Sequence, residues 1–414
     1  MISVAEASER ILARIGALSG ETVATDNAVG RVTAFPVVAG IDSPPWNNSS
    51  MDGYAVRSED IQAGAPVSLT VVEEIAAGRF PTRSLGALQA VRVMTGAPVP
   101  SGADSVIRRE DTDDGRDVVT INALRDLKKN IRQKGEDFHA GDTIFPAGEE
   151  LTVAHIGALA SAGIKSLDVH RRPRVAIISS GDELVELDDF SAELAGKKIV
   201  SSNSLTLSAL VRDAGGEPIN LGIALDTEDS IREKLERARH ADLIVTSAGI
   251  SVGDHDHVRS AFAALGGALD FWKVRMRPGA PLAFGMLGDT PWIGLSGNPV
   301  SAIVTFELFV RPAVRKMLGS RSLFRRTFLV RVGQAMTLAA PLMHFLRVNL
   351  TLAANGDHVA SLAGSQSSGV LTAMARSSAL LILPGDKLEV AEGEMHRALP
   401  LGDSFLAADE LGLT

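Results

Sequence analysis

Between residues 172 and 317 the chain repeats one pattern: a short apolar run, a loop rich in glycine, serine or carboxylates, then a segment of helical period. Strands are expected at 174–179, 199–202, 218–224, 242–246 and 291–295, alternating with helices at 205–214, 230–239, 257–265 and 300–317. Short apolar runs bounded by turn residues read as strands buried on both faces, and their alternation with helices makes parallel crossovers. The pattern predicts a three-layer α/β domain with a mostly parallel sheet. Ligands of such sheets bind beyond the carboxyl ends of the strands. The loops that follow the strands are therefore the place to look for chemistry.

Those loops are all polar. Ser180-Gly181-Asp182-Glu183 follow the first strand and Ser201-Ser202-Asn203-Ser204 the second. Asp226-Thr227 follow the third, residues 248–256 the fourth, and Ser296-Gly297-Asn298-Pro299 the fifth. In the fourth loop Gly249, Ser251 and Gly253 precede Asp254 and Asp256. Small residues let backbone N–H groups approach an anion, and the carboxylates behind them can hold a hard cation. His255 and His257 lack the helical spacing of a zinc site and read as loop polarity. Singly, each loop has a plain structural reading. Asp226-Thr227 reads first as a helix cap, and Ser180 to Glu183 equally as a capped turn. Gly297-Asn298-Pro299 is a helix-start turn or an anion seat, and the glycines nearby favour the seat. Lys273, Arg275 and Arg277 alternate, which predicts three cations on one strand face; an oxyanion site is favoured over a solvated edge. Convergence of the loops carries the argument.

Outside this region Ser3 to Glu6 form a capping box opening a helix with Val4, Ile11, Leu12, Ile15 and Leu18 on one face. Turn-separated β-like runs fill 50–137, a helix is expected at 152–162, and strands resume after Gly319, with Asn355-Gly356 a hairpin signal. Four segments result: 1–45 with 138–170 as an elongated mixed linker, 46–137 as a small β domain, 171–319 as the α/β domain, and 320–414 as a C-terminal β domain. The N-terminal helix is assigned to pack on the α/β domain or within the linker.

Composition narrows the function. The chain has 414 residues, 45% of them hydrophobic and 22% charged, which suits several soluble domains. It has no cysteine, so thiolate catalysis and cysteine-ligated metals are excluded. A net charge of −9 and 4% scattered aromatics argue against nucleic acid, and no apolar run is long enough for a membrane span. Met1 to Glu6 begin no signal peptide, so the cytoplasm is the expected compartment.

The chain resembles the molybdopterin molybdenumtransferase family, the MoeA proteins and the gephyrin E domain. The matching runs are 50–55 around Met51-Asp52-Gly53-Tyr54, 94–104 from Met94-Thr95-Gly96, Lys134-Gly135-Glu136-Asp137, 180–184, 248–256, 273–281 and 297–301. The resemblance implies an elongated multidomain homodimer that acts on small anionic substrates, adenylyl-molybdopterin and molybdate, cleaving the phosphoanhydride with Mg²⁺ and releasing AMP as molybdenum enters the dithiolene. Carried over by motif, Asp52, Thr95, Asp137, Glu183, Asp226 and Asp256 are the catalytic set, with Glu183, Asp226 and Asp256 holding the metal. Ser180, Gly181, Asp182, Asn203, Gly249, Ser251, Gly253, Ser296, Gly297, Asn298 and Pro299 are expected to bind the substrate, with Lys273, Arg277, Arg347 and Ser368 around molybdate. Ser296 replaces a proline of the family pattern, Ala280 and Arg277 stand where lysines are frequent, and Ser365-Gln366-Ser367-Ser368 depart from a histidine-glutamine-glycine-serine run. A molybdopterin adenylyltransferase and molybdoenzyme maturation factors are the implied protein partners. Two other functions stay open: a molybdopterin adenylyltransferase, which would not need the β segments around Asp52, and a non-catalytic scaffold, which would not need the carboxylates.

Overall fold

The structure is a computed structural model that describes residues 1–191, 196–248 and 257–402. The chain forms two units, one from Met1–Glu21, Gly30–Ala34 and everything from Val169 on, the other from Thr22–Val29 and Phe35–Asp168.

In the first unit a six-stranded sheet runs in the order Glu217–Ala224, Arg174–Ser180, Leu243–Ser247, Thr290–Leu295, Leu282–Leu287, Ala268–Trp272. The first four are mutually parallel, and Leu282–Leu287 runs against both its neighbours. Side chains on a strand alternate between faces. Val175 and Ile177 accordingly enter one core with Leu207, Val211 and Val304, and Ala176 and Ile178 the other with Ile231, Leu235 and Phe262. Helices Ser202–Asp213 and Pro299–Thr305 thus cover one face, and Glu228–Ala238 and His257–Ala264 the opposite one. That is the three-layer α/β arrangement. The helix Val4–Ala13, capped by the Ser3 hydroxyl, buries Ala7 and Ile11 in the first of these cores.

Four local expectations change. The N-terminal helix stops at Ala13, so Ile15 and Leu18 pack beyond its end. Among the described residues Ile199–Val200 pairs only with Leu184–Val185, outside the main sheet, so four parallel strand ends and not five come from that sheet. The cation-bearing strand does not exist as one element. It ends at Trp272, Lys273 turns the chain with φ +115°, and Met276–Arg277 joins a different sheet. Fully buried Val274 and Met276 pull the chain inward between exposed Arg275 and Arg277. Finally, the helix expected at 300–317 contains a π-turn, Phe306–Val310, before Arg311–Met317. Pro312 lacks an N–H and crowds the carbonyl four residues back, and a wider turn relieves this.

The same unit holds a second sheet. Met343–Leu352, His358–Leu362, Phe328–Val332, Met395–Pro400 and Ala379–Leu383 pair in that order, and the last pairs back to the first, closing a small barrel. Val330, Val348, Ala360 and Leu381 fill it. At its hairpin Asn355 accepts from the Asp357 amide, and Gly356 takes φ +85°, as the asparagine-glycine signal requires.

The other unit is built on a five-stranded sheet ordered Ser105–Arg108, Gly53–Val56, Gln89–Val93, Val67–Ile75, Val118–Ile121. Tyr54 and Val56 pack on one face, Ala55, Val91 and Val93 on the other. Helix Val153–Ser161 is capped by Thr152 and His155. Among the described residues no helix is long and apolar enough to cross a membrane.

Candidate functional site

The carboxyl ends of the parallel strands frame a cleft of about 630 Å³, lined by Ser180, Glu183, Asn203, Ser247, Ser296 and Gly297 among others. Asn203 lies in the first turn of its helix. Its amide donates to the Ser247 hydroxyl at 2.6 Å and to the Gly297 carbonyl at 2.9 Å, tying three strand ends together. Ser201 Oγ bonds Ser179 Oγ at 3.2 Å, while buried Ser180 Oγ has no partner among the described residues. Gly181 adopts φ +151°, and a Cβ there would stand 2.7 Å from the Glu183 carboxylate, so only glycine lets Glu183 fold over this turn.

Asp226 is not the helix cap. Thr227 Oγ1 accepts the Ser230 amide, which leaves the Asp226 side chain free for other work. Asp226 N–H donates to Asp182 Oδ1 at 3.0 Å and Asp182 N–H to Asp226 Oδ2 at 3.4 Å. Two exposed carboxylates are thereby held side by side. Among the described residues no three histidine, aspartate or glutamate side chains converge as a metal-ligand set. Gly249, Ser251, Gly253 and Asp256 lie outside the described residues. At Gly297-Asn298-Pro299 the helix start has fewer free donors than the anion-seat reading expects. Pro299 has no N–H, and the Val300 amide donates to the Ser368 carbonyl at 3.1 Å. These residues serve as cleft wall, and the first two positions of the helix offer no open donor.

A second cleft, about 720 Å³, shares Pro281, Ser296 and Asn298 with the first and runs to the barrel. Arg277, His344, Arg347, Gln366 and Ser368 line it. Arg347 is fully buried. Its Nη2 donates to the Ser365 and Ser367 carbonyls at 2.7 and 3.1 Å, but Nε and Nη1 have no partner among the described residues. Burial lowers its pKa from the ordinary arginine value, with no carboxylate opposing the shift. Gln366 exchanges two hydrogen bonds with the Arg347 backbone, which fixes the 364–368 loop against the strand. Lys273 lines neither cleft among the described residues; its amide donates to the Leu282 carbonyl. His344 was not singled out by its sequence, where one histidine in an apolar strand reads as core. Burial lowers its pKa, with Arg277 adding to the effect.

In the other unit Asp52 Oδ1 accepts both the Thr95 amide and the Thr95 hydroxyl at 2.7 Å. These two bonds hold the Asp52 carboxyl below the usual carboxylate range, with Arg109 and Arg92 contributing, so it is an anion at neutral pH. The segment from Ser43 organises this shelf. Its Ser49 carbonyl accepts the Gly96 amide, Pro44 accepts Gly135, and Ser43 accepts Asp137, whose side chain is exposed. Asp52 and Thr95 are brought into contact, and Asp137 is carried by the same unit.

Three family profiles match in order: the MoeA N-terminal region (domain I and II) at residues 2–163, a probable molybdopterin binding domain at 176–316, and the MoeA C-terminal region (domain IV) at 330–401. A molybdopterin molybdenumtransferase of Nostoc sp. is 39% identical over 375 residues, 89% of this chain and 85% of that protein. Molybdopterin molybdenumtransferase 2 of Mycobacterium tuberculosis is 38% identical over 405 residues, 95% of this chain and 98% of its own length. Among solved structures, the molybdopterin biosynthesis MoeA protein of Pyrococcus horikoshii superposes with a TM-score of 0.83 at 29% identity, covering 97% of this chain and 100% of that one.

Proposed function

Because the chain belongs to the MoeA family of molybdopterin molybdenumtransferases, we propose that it inserts molybdenum from molybdate into adenylyl-molybdopterin in the cytoplasm, with magnesium-dependent release of AMP. The chain is an enzyme of molybdenum cofactor biosynthesis; the substrates and the division of roles are our reading. One observation supports it above the others. Two clefts that share a wall carry opposite chemistry: hydroxyls and the Glu183 carboxylate line one, with the Asp182–Asp226 pair on the same loops, and the other holds a buried arginine with no counter-ion among the described residues.

Magnesium usually takes one or two carboxylates and fills its shell with phosphate oxygens and water. The Asp182–Asp226 pair fits that demand, since two neighbouring anions beside a pyrophosphate need a cation between them. Glu183 and Asp226 stay in the proposed metal-binding set, and Asp256 is kept with them by family resemblance. Bound there, Mg²⁺ would draw charge from the phosphoanhydride. Asn203, with the strand-end serines, would orient the nucleotide half of the substrate, while Arg277, Arg347 and Ser368 would hold the oxyanion. Lys273 is retained for molybdate on resemblance alone. Asp52, ionised and aligned by Thr95, and Asp137 are assigned to the same reaction from the β unit.

We also propose a homodimer. Phe35 and Val38 are 63% and 50% exposed on one shallow groove beside Gly163, and Ile41, 46% exposed, packs next to that glycine. Apolar surface of this kind favours a second copy. Phe35→Glu is expected to shift sedimentation towards monomer.

The function is tested by incubating the purified protein with adenylyl-molybdopterin, Mg²⁺ and molybdate. Molybdate-dependent AMP release is expected, reduced by roughly 10²-fold or more in Asp226→Ala and Asp52→Ala with the fold retained. Wild-type AMP release by either variant at saturating magnesium would remove that residue from the mechanism. ATP-dependent adenylylation of molybdopterin would identify an adenylyltransferase instead, and no turnover a scaffold.

A further inference from the structure

His344 adds to the second cleft something the arginines do not. It is 3% exposed and lines the cleft with Arg277 and Arg347. Its Nδ1 lies 2.7 Å from the Leu342 carbonyl. A carbonyl only accepts, so Nδ1 carries the hydrogen, and in the neutral ring Nε2 is left as a bare lone pair. That Nε2 is buried and has no partner among the described residues. A lone pair repels an oxyanion, whereas an N–H⁺ at the same atom binds it strongly.

The charges around the ring decide which form is present. Arg277 stands opposite His344 in the strand ladder, and Arg347 follows on the same strand. The paired strand Ala379–Leu383, the wall at 336–342 and the loop at 362–368 contain no titratable residue. Beyond that paired strand lie Asp386, which lines a different cavity with Arg275, and Lys387, which pairs with Glu394. In the free protein the ring therefore faces cations and apolar surface, which favour the neutral form. An incoming dianion reverses that balance.

Resting on the reading of this cleft as the oxyanion site, we propose that His344 is a binding residue that takes up a proton at Nε2 as the oxyanion enters, so that molybdate binding and protonation are coupled. The proton comes from solvent and returns to it when the oxyanion leaves. Affinity then depends on pH in one direction. Between the pKa of the free ring and the higher pKa of the complex, molybdate binding weakens by up to ~10-fold per pH unit as pH rises.

The test is calorimetric titration of the full chain with sodium molybdate at a pH slightly above neutral, in two buffers of different ionisation enthalpy. The difference in observed heat gives the protons taken up per molybdate without any variant. The wild type is expected to take up a substantial fraction of one proton. His344→Gln, which keeps a polar group but cannot ionise, is expected to bind molybdate with no uptake and a nearly flat pH dependence. Molybdate binding by the wild type without proton uptake, or equal uptake by His344→Gln, overturns the role of His344 and leaves the oxyanion cleft standing. No molybdate binding by the wild type, or undiminished binding by Arg347→Met, overturns the cleft assignment and this coupling with it.

Discussion

The two adjoining clefts treat their polar atoms in opposite ways. At the strand ends, dipoles are matched among themselves: Asn203 bridges Ser247 and Gly297, Ser201 meets Ser179, and the Asp182 and Asp226 carboxylates rest on each other's amides. Among the described strand-end residues Ser180 Oγ is the exception. Beside the barrel, Arg347 Nε and Nη1 and His344 Nε2 are buried without partners. Polar groups that hydrogen-bond one another can be organised in advance, because each internal hydrogen bond is worth only about 1 kcal/mol and is readily exchanged for one to a ligand. A buried charge with donors left over costs more, and a fold keeps it where an incoming counter-ion meets it. The contrast supports the proposed placement of the nucleotide in one cleft and the oxyanion in the other.

The largest expected effect is on Arg347. Arg347→Met should weaken molybdate binding by about 2–5 kcal/mol, roughly 30-fold or more, as measured by equilibrium dialysis. Its melting temperature should change little, because an isolated buried charge is replaced by apolar volume. A large loss of stability with unchanged molybdate binding would make Arg347 a structural residue and break the contrast.

Next is Gly279, where the chain enters the oxyanion cleft with φ +95° and an added Cβ would meet Thr305 Cγ2 at 2.5 Å. Gly279→Ala should cost about 1–3 kcal/mol in thermal unfolding and weaken molybdate binding more than nucleotide binding. On the other side, Asn203→Ala removes two bonds and should lower nucleotide affinity by about 1–2 kcal/mol, roughly tenfold, leaving molybdate untouched. Equal effects of either variant on both ligands would merge the two clefts into one.

The smallest effects are in pH. Asp52 has a lowered folded pKa, so its contribution to stability is complete above the unfolded aspartate pKa and is lost only as pH falls through the lower folded value. His344 has the opposite consequence. Its folded pKa is lowered by burial, the unfolded chain binds the extra proton first, and stability falls as pH drops through the unfolded histidine value towards the folded one. Molybdate should reduce that loss in the wild type, and His344→Gln should show no such loss with or without molybdate, as followed by thermal melts at stepped pH.

Much of this was legible in the sequence where local pattern and tertiary outcome agree. Apolar strands alternating with helices are buried on both faces, so their polar ends had to meet at one edge, and Ser180, Asn203 and Ser296 do. The capping box at Ser3 and the asparagine-glycine hairpin are local chemistry and form as read. What escaped depends on partners distant in the chain. Nothing local shows that Ile199–Val200 leaves the main sheet for Leu184–Val185, or that Lys273 breaks the alternation so that Met276–Arg277 can join the barrel. Nothing in Gly297-Asn298-Pro299 shows locally that the Val300 amide behind it is taken by the distant Ser368 carbonyl. His344 was invisible because its meaning comes from Arg277 opposite and Leu342 beneath, not from its neighbours in the strand.

The central claim, that one cleft takes the nucleotide and the other the oxyanion, is met most directly by sodium molybdate binding to Arg347→Met and Asp226→Asn side by side in equilibrium dialysis. Loss of molybdate binding in Arg347→Met with near wild-type binding in Asp226→Asn is the expected result. Loss in Asp226→Asn with retention in Arg347→Met would contradict the account.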